Sequence, residues 1–347
     1  MQPNRKEGRF GGLLQVLTES PPYALLSPRI RGYAIAALVC LSLFISLFFN
    51  GGSASALTYD AATETSSAST PSSNSYELAK RESLGFMDDI REDSWELLRE
   101  KVKDVYPNVK GGDYSKLRGQ AIQTMVFFQD HFEPDFVCQH ERRIGRLGDG
   151  GKWVCDPHRL KNRSCLVYSV GSNGDASFEE AVKKQIGKHC EIHTFDMKNH
   201  SKVVEATGSI FHQWGISASN STDKRGRVFR TLKSTMEELG HVGKAIDIFK
   251  IDCEGCEWDL YPSFFEPGVD LRQILIEIHS DRKPEKEMFA RMPRSASEFF
   301  ERFYREGYVI FHKEINIRWW RYGQCIEYAF LKLHKDFFKD IPGLSGT

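Results

Sequence analysis

The chain has 347 residues, of which 40% are hydrophobic and 27% are charged. This composition supports a sizeable core and excludes a globally disordered chain. Lysine and arginine together number 47, as do aspartate and glutamate, and the balance argues against a general nucleic-acid binder, which usually has a basic excess.

An uncharged apolar run near the N-terminus predicts a membrane anchor. It covers residues 33–49, a length at the short end of what spans a bilayer as a helix. Residues 1–31 contain five basic and two acidic residues, and no lysine or arginine follows the run before Lys80. The positive-inside rule therefore predicts a cytoplasmic tail at 1–31 and a transmembrane signal-anchor at 32–50. A signal peptide cleaved near residue 56 is the alternative.

Sequons and cysteines also indicate the secretory pathway. Asn-X-Ser/Thr sequons occur at Asn162, Asn199 and Asn220, and such sites are used on secreted domains. Seven of the eight cysteines follow the predicted anchor, so at least one stays without a partner in the chain. Cys138 and Cys155 bracket a Gly-rich segment, and we expect them to form a disulfide. The sequence thus predicts a single-pass type II membrane glycoprotein of the Golgi or ER, with its bulk in the lumen.

Composition divides the predicted luminal part into segments. A Ser/Thr/Ala-rich linker covers 51–75. A helical stem is predicted at 76–134, with an amphipathic helix that begins near Trp95 and ends at Pro107. The main domain is predicted at 135–335, and a C-terminal tail follows at 336–347.

Short apolar strands alternate with helical patterns in the main domain. We predict strands at 166–170, 191–195, 246–251, 274–278, 308–311 and 328–333. Capping boxes at 177–180 and 295–298 predict two of the helices. This alternation predicts an α/β sheet that is mostly parallel, with helices on both faces. Ligands bind such sheets beyond the carboxyl ends of the strands.

Two candidate cofactor-binding segments follow the first two strands. The first is a loop that contains Gly171, Ser172, Asn173 and Gly174. Its glycines allow close approach of a ligand, and the following helix offers free N–H groups. A tight structural turn is the alternative, because the loop is neither G-x-G-x-x-G nor a P-loop. Asp196, followed by Met197, ends the second strand, where an acid can accept both hydroxyls of a ribose or can cap a turn.

The strongest motif is Phe-Lys-Ile-Asp-Cys-Glu-Gly-Cys-Glu-Trp at 249–258. An apolar strand there runs directly into Asp252 and Glu254, and clustered carboxylates repel one another unless they bind something. The motif includes Cys-x-x-Cys without further ligands at zinc spacing, so we do not predict zinc, and a redox pair stays open. His279 ends the next strand on the same side of the sheet as Glu277. It is either structural or catalytic.

The 249–258 motif resembles the signature of FkbM-type S-adenosylmethionine-dependent methyltransferases. The wider pattern is similar to membrane-anchored methyltransferase-like proteins of eukaryotes and covers roughly residues 138–333. It includes 146–155, 170–175, 195–196, 213–217, 276–279 and 327–330. The resemblance implies a class I methyltransferase (Rossmann-like) fold, with a seven-stranded sheet whose last strand is antiparallel. Ser169 stands where the usual class I loop has an acid.

The resemblance also implies roles for these residues. Loop 171–174 would cradle the methionine and ribose parts of S-adenosylmethionine, and Asp196 would hold the ribose. The segment 213–217, with Gly215 and Ile216, would lie near the adenine. Asp252 would face the site of methyl transfer.

A hydroxyl acceptor must lose its proton during methyl transfer. Asp252, Glu254 or His279 could be the general base. A divalent ion held by Asp252, Glu254 and Glu277 could instead lower the pKa of the hydroxyl, and we rank this route below the metal-free one.

We therefore predict an S-adenosylmethionine-dependent methyltransferase that acts on a luminal acceptor, such as a glycan hydroxyl or a protein, with no nucleic-acid partner. A membrane-anchored glycosyltransferase is the rival prediction, because it shares the anchor, the stem and an acidic metal-binding pair. A non-catalytic luminal binding module is the third, and the serine at position 169 is the feature that favours it.

Overall fold

The computed structural model describes residues 90–110, 128, 131–279, 296–316, 325–333 and 335–338. The predicted anchor at 32–50 and the linker at 51–75 lie outside these residues. Within the described ranges, no helix combines the length and the apolar character needed to cross a bilayer.

The strands and helices alternate along the chain as the sequence predicts. The strands are β1 (Arg142–Ile144), β2 (Lys152–Val154), β3 (Leu166–Val170), β4 (Glu191–Phe195), β5 (Ile210–His212), β6 (Gly215–Ile216), β7 (Ser221–Thr222), β8 (Val228–Arg230), β9 (Ala245–Ile246), β10 (Ile248–Ile251), β11 (Asp270–Leu271), β12 (Gln273–His279), β13 (Tyr308–Ile315) and β14 (Cys325–Lys332). The helices are α1 (Glu92–Lys110), α2 (Ser177–Gln185), α3 (Ser201–Glu205), α4 (Leu232–Glu238), α5 (Glu257–Leu260) and α6, described over 296–305. Short 3-10 helices cover Pro157–Leu160, Tyr261–Phe265 and Lys335–Phe338.

The centre of the domain is a seven-stranded sheet in the order β13-β14-β12-β10-β3-β4-β5. The five strands from β12 to β5 are parallel, and β14 is antiparallel to both of its neighbours. This is the Rossmann-like α/β fold of methyltransferases, with the antiparallel strand that the resemblance implies. The central strands are apolar and buried along their length, as in β3, because helices cover both faces of a parallel sheet.

Three local predictions need correction. The predicted strand 246–251 is interrupted at Asp247, whose carboxylate accepts from Leu166 N and pairs with Arg272. Helix α1 continues past Pro107 to Lys110, although a proline beyond the first turn removes a backbone donor and crowds the preceding turn. Helix α2 begins at Ser177 and not after it, and the Ser177 N–H donates to the Asp175 carboxylate, whereas in a capping box it would donate to Glu180.

Aromatic side chains fill the space beside the antiparallel edge of the sheet. Phe303 of α6 packs on Phe330 of β14, with 4.1 Å between ring centroids. On α1, Trp95 is fully buried and contacts Phe136 and Phe337. Helix α1 therefore packs on the domain through its apolar stripe.

The order of the strands reverses between β3 and β10. The chain goes from β3 outward to β4 and β5, and later returns to β10 on the other side of β3. In open α/β sheets the crevice at such a switch point, beyond the carboxyl ends of the strands, is where ligands bind. The loops after β3, β4 and β10 meet at this edge, together with the last residue of β12.

Candidate active site

The loop after β3 lies directly against the residue that follows β10. Gly171 has a φ of +78°, and a Cβ at this position would lie 1.8 Å from the backbone oxygen of Asp252. Only glycine satisfies both the left-handed conformation and the close approach. The strand register aligns Val170 with Ile251, and Asp252 N donates to Val170 O. The structure thus brings two predicted site segments into contact.

Asp196 holds the same loop from the side of β4. The side chain is buried, and its Oδ2 accepts from Asn173 N at 2.9 Å and lies 3.5 Å from Ser172 Oγ. Its Oδ1 accepts from Lys198 N at 2.8 Å. Each carboxylate oxygen has two lone pairs, so Oδ1 can accept a further hydroxyl donor.

His200 is a neighbour of this site that the sequence analysis did not identify. Its Nε2 lies 3.9 Å from Asp196 Oδ2 and is buried without a hydrogen-bond partner among the described residues. A Cβ on Gly174 would lie 3.2 Å from the His200 ring. His200 begins the turn that leads into the short helix α3, and no spacing in the sequence relates it to the glycine loop.

The predicted adenine segment is close to the acidic motif. Ile216 O lies 3.8 Å from Cys256 Sγ, which brings β6 against the loop after β10. Gly215 is buried opposite Phe229, and a Cβ there would lie 2.8 Å from that ring. Met197 is farther along, where its Sδ accepts from Arg227.

Glu257 organises the acidic loop from within. This side chain is fully buried, and its oxygens accept from Cys253 N at 3.1 Å and from Gly255 N at 2.9 Å. The same carboxylate binds His279 Nδ1 at 3.1 Å. Glu257 therefore fixes the loop after β10 and the end of β12 relative to each other, a role the sequence analysis did not assign.

Asp252 and His279 face each other at this edge. His279 Nε2 lies 3.8 Å from Asp252 Oδ1 and 4.0 Å from Glu254 Oε2. The Glu254 side chain is 68% exposed, whereas that of Asp252 is 19% exposed. The three predicted catalytic side chains are thus together, but Glu254 is at the solvent side of the group.

Asp252 and His279 differ in their protonation near neutral pH. Burial and the charge of Glu277 raise the pKa of Asp252 to about 7. Burial acts to lower the pKa of His279, but the hydrogen bond and charge of Glu257, with the charge of Asp252, raise it to about 9. His279 is therefore protonated near neutral pH, and Asp252 can exchange a proton there.

A buried lysine completes the site and was not predicted individually. Lys152 Nζ donates to Glu277 Oε2 at 3.0 Å and to Glu327 Oε1 at 2.7 Å, with all three side chains at most 6% exposed. Asn316 Nδ2 donates to the other oxygen of Glu277 at 3.0 Å. The charges of Lys152 hold the pKa of Glu277 below its usual range against the effect of burial. The apolar residues that follow Lys152 in β2 are the sequence feature that indicates a buried position for this lysine.

The oxygens expected to hold a divalent ion divide into two groups. Ligand atoms of Asp252, Glu254 and His279 lie within 4.8 Å of one another, as do those of Asp149, Asp252 and Glu277. Glu277 already contacts the Lys152 ammonium, which supplies positive charge at the place the ion would occupy. Either group could hold an ion, and we continue to rank the metal-free route first.

Three disulfides occur among the described residues, and one of them lies within the acidic motif. Cys138–Cys155 joins the start of the domain to the end of β2, as predicted, and Cys165–Cys190 joins the segments before β3 and β4. Cys253 and Cys256 of the acidic motif form the third. Cys325, at the start of β14, is a buried free cysteine.

Comparison with known proteins identifies the family. A family model described as "Methyltransferase domain" matches residues 77–332. No curated protein matches the chain. Similar solved structures include the fibrillarin pre-rRNA processing protein of Methanococcus jannaschii, with 11% identity, TM-score 0.32, and coverage of 56% of this chain and 83% of that one.

Two further solved structures have similar scores. Methyltransferase FkbM of Methylobacillus flagellatus is 12% identical with TM-score 0.31, and the match covers 67% of this chain and 57% of that one. A putative rRNA methylase of Clostridium thermocellum is 10% identical with TM-score 0.31, and the match covers 51% and 94%. The family match spans the sheet and every strand-end carboxylate described above, so the chain belongs to the methyltransferase domain family, as the 249–258 motif predicted.

Proposed function

We propose that the chain is an S-adenosylmethionine-dependent methyltransferase that methylates a hydroxyl on a luminal acceptor, such as a glycan. The observation that carries this proposal is the position of Asp252. Asp252 lies at the switch point of the sheet, with its backbone oxygen against Gly171 of the glycine loop, and the pKa of its carboxylate is raised to about 7. A general base is most effective when its pKa is near the working pH.

The residues at the strand ends fit the cofactor. Gly171 lets the loop lie directly against the backbone of Asp252, and Gly174 lets it lie beside the His200 ring. The buried Asp196 carboxylate can accept a ribose hydroxyl, and the His200 Nε2 beside it, which has no hydrogen-bond partner among the described residues, offers one further polar atom. Acidic side chains at the edge suit a positively charged sulfonium. S-adenosylmethionine, when bound, would supply a methyl group that is electrophilic without further activation.

Asp252 is the base that the geometry favours among the three predicted. The ionised carboxylate would take the hydroxyl proton as the acceptor oxygen forms its bond to the methyl carbon. His279, protonated near pH 7, would keep Asp252 ionised and in position, so we propose for it the role of charge partner and not of base. Glu254 is largely exposed and would contact the acceptor at the rim. The enzyme's other contribution would be alignment of donor and acceptor.

Three observations support a luminal location. The predicted signal-anchor precedes the domain in the sequence. Three disulfides among the described residues are expected in an oxidising compartment. The sequon residues Asn162, Asn199 and Asn220 are exposed, as glycan attachment requires. A glycan hydroxyl is the acceptor class that is abundant in that compartment.

The family match favours methyl transfer over the rival glycosyltransferase prediction. A binding test separates the two: the purified chain is titrated with S-adenosylhomocysteine and, separately, with a nucleotide sugar and Mn²⁺. We expect thermal stabilisation by S-adenosylhomocysteine. Stabilisation by the nucleotide sugar alone would contradict the proposal.

Catalysis is tested by incubating the chain with methyl-labelled cofactor and a glycan and protein extract of a secretory fraction. We expect label on a glycan hydroxyl, and no label with Asp252→Asn. Asp259→Asn, which changes an exposed acid on α5, is the matched control and should retain activity. Bound cofactor without any labelled product would favour the non-catalytic binding module instead, and loss of activity on metal removal would favour the divalent-ion route.

A further inference from the structure

A second polar cluster lies at the opposite end of β4 from the candidate active site. Glu191 is the first residue of β4, and Asp196 follows its last residue, about 16 Å away at roughly 3.3 Å per residue. His193 lies on the same face of the strand as Glu191. His241 reaches the cluster from the turn after α4, and its Nε2 lies 3.3 Å from Glu191 Oε1.

The ligand atoms of these three residues converge on one point. His193 Nε2 lies 2.9 Å from the same Glu191 Oε1, and all three atoms lie within 4.8 Å of one another. Ligands bound tetrahedrally at about 2.0–2.1 Å lie about 3.4 Å apart. The spacing of the three atoms therefore needs little adjustment to surround a small divalent cation.

Outer partners orient both imidazoles. The Tyr168 hydroxyl and His241 Nδ1 are hydrogen-bonded at 2.7 Å, and His193 Nδ1 and His212 Nε2 at 2.8 Å. Each ring therefore uses Nδ1 for a neighbour and turns Nε2 toward Glu191. Metal-binding histidines usually have such a partner on the other ring nitrogen.

Burial gives the cluster a closed and an open side. His193 and His241 are 4% and 2% exposed, whereas the Glu191 side chain is 51% exposed. The Cys165–Cys190 disulfide fixes the start of β4 beside that of β3. An ion could thus enter past Glu191 and find a preformed pair of rings.

We propose that Glu191, His193 and His241 bind one divalent transition-metal ion of the zinc class, with water completing the coordination. Imidazole and carboxylate ligands suit such ions better than Ca²⁺ or Mg²⁺. The positive charge of Lys244, which acts on both histidines, opposes the ion and limits its affinity. The site would be structural, because it joins β4 to the turn after α4 and lies apart from Asp252. It does not depend on the proposed methyl transfer.

The test uses the full-length chain, freed of metal with a chelator and titrated with Zn²⁺ against a chromophoric competitor. We expect one equivalent to bind, and Co²⁺ to give the visible absorption of a tetrahedral site. Glu191→Gln and His241→Gln should each abolish stoichiometric binding. Tyr168→Phe, which removes an outer partner only, should weaken binding about 10- to 100-fold.

His140→Gln, which changes an exposed histidine outside the cluster, is the matched control and should bind Zn²⁺ like the natural chain. Circular dichroism of the metal-free variants shows whether they are folded. If His241→Gln does not fold, the binding result for Glu191→Gln alone tests the proposed site. The absence of stoichiometric Zn²⁺ in the natural chain would overturn the proposal. So would unchanged binding by Glu191→Gln, or loss of binding in Asp252→Asn.

Discussion

Replacement of Lys152 by methionine should strongly destabilise the domain. The ammonium of Lys152 is the cation between the buried carboxylates of Glu277 and Glu327, at 3.0 and 2.7 Å. Methionine keeps most of the side-chain volume and removes the charge. Both carboxylates would then be buried without this cation, and the nearby Asp252 would add to their repulsion.

The size of the effect follows from burial. Removing one partner of a buried ion pair typically costs about 3–5 kcal/mol, because the remaining charge is uncompensated. Lys332 offers the matched comparison, since its Nζ is also 3.0 Å from a carboxylate, that of Asp270, but the two side chains are 39% and 48% exposed. Lys332→Met should cost less than about 1 kcal/mol, as exposed pairs do.

The loss caused by Lys152→Met should depend on pH. In the natural chain Lys152 lowers the pKa of Glu277, so this contribution to stability is present above the unfolded pKa near 4.5 and is lost as the pH falls. Without Lys152, burial raises the pKa of the carboxylates, and the variant becomes less stable as the pH rises. The difference in free energy of unfolding between the two proteins should therefore decrease from pH 7 to pH 4.5, where the penalty in the variant is relieved. The contribution of Glu277 in the natural chain is lost only below pH 4.5.

Urea denaturation at both pH values measures this difference, with the disulfides kept intact. The urea midpoints of the two proteins should differ while the dependence of the unfolding free energy on urea concentration stays the same. This result would show that stability has changed and that the surface exposed on unfolding has not. Equal losses for Lys152→Met and Lys332→Met, or a loss that does not change with pH, would refute the buried-charge argument.

Two further predictions concern the candidate site. Gly171→Ala should destabilise the domain and abolish binding of S-adenosylhomocysteine, because the new Cβ would overlap the Asp252 backbone. The control is Gly226→Ala, which also has a positive φ, +76°, but open space around it. It should cost only the backbone strain of about 1–2 kcal/mol, measured by the same denaturation. The kcat/KM for methyl transfer should rise with pH through about 7, where Asp252 loses its proton. Asp252→Asn should lower kcat/KM by at least about 100-fold. A flat pH profile would contradict the role of Asp252 as the base.

The sequence predicted the parts of the site that follow strands. The strands 166–170 and 191–195 have the predicted bounds. The site residues that follow strand ends were identifiable because parallel strands bring their carboxyl ends to one edge of the sheet. The Cys138–Cys155 disulfide was predicted from the short Gly-rich segment between its cysteines.

The parts that could not be predicted depend on distant partners. Lys152 lies 125 residues from Glu277 and 175 from Glu327, and their meeting requires the register of three strands at once. The same holds for Glu257, whose bond to His279 reverses the expected protonation of that histidine. A local pattern identifies which residue types are present, but the pKa of each is set by neighbours from other elements.

This dependence leads to a last prediction, on Glu277. Its charge raises the pKa of Asp252, and Lys152 opposes that effect. Glu277→Gln keeps the shape and the bond from Asn316, and leaves Lys152 paired with Glu327. The pH at which kcat/KM rises should therefore move below about 7.

Glu237→Gln, which changes an exposed acid on α4, should leave the pH profile unchanged. A residue that served only to hold β12 in place would alter the rate at every pH without moving the inflection. An inflection that stays in place in Glu277→Gln would mean that the buried charges and the proposed base act independently, so the shift in pH separates an electrostatic role from a structural one.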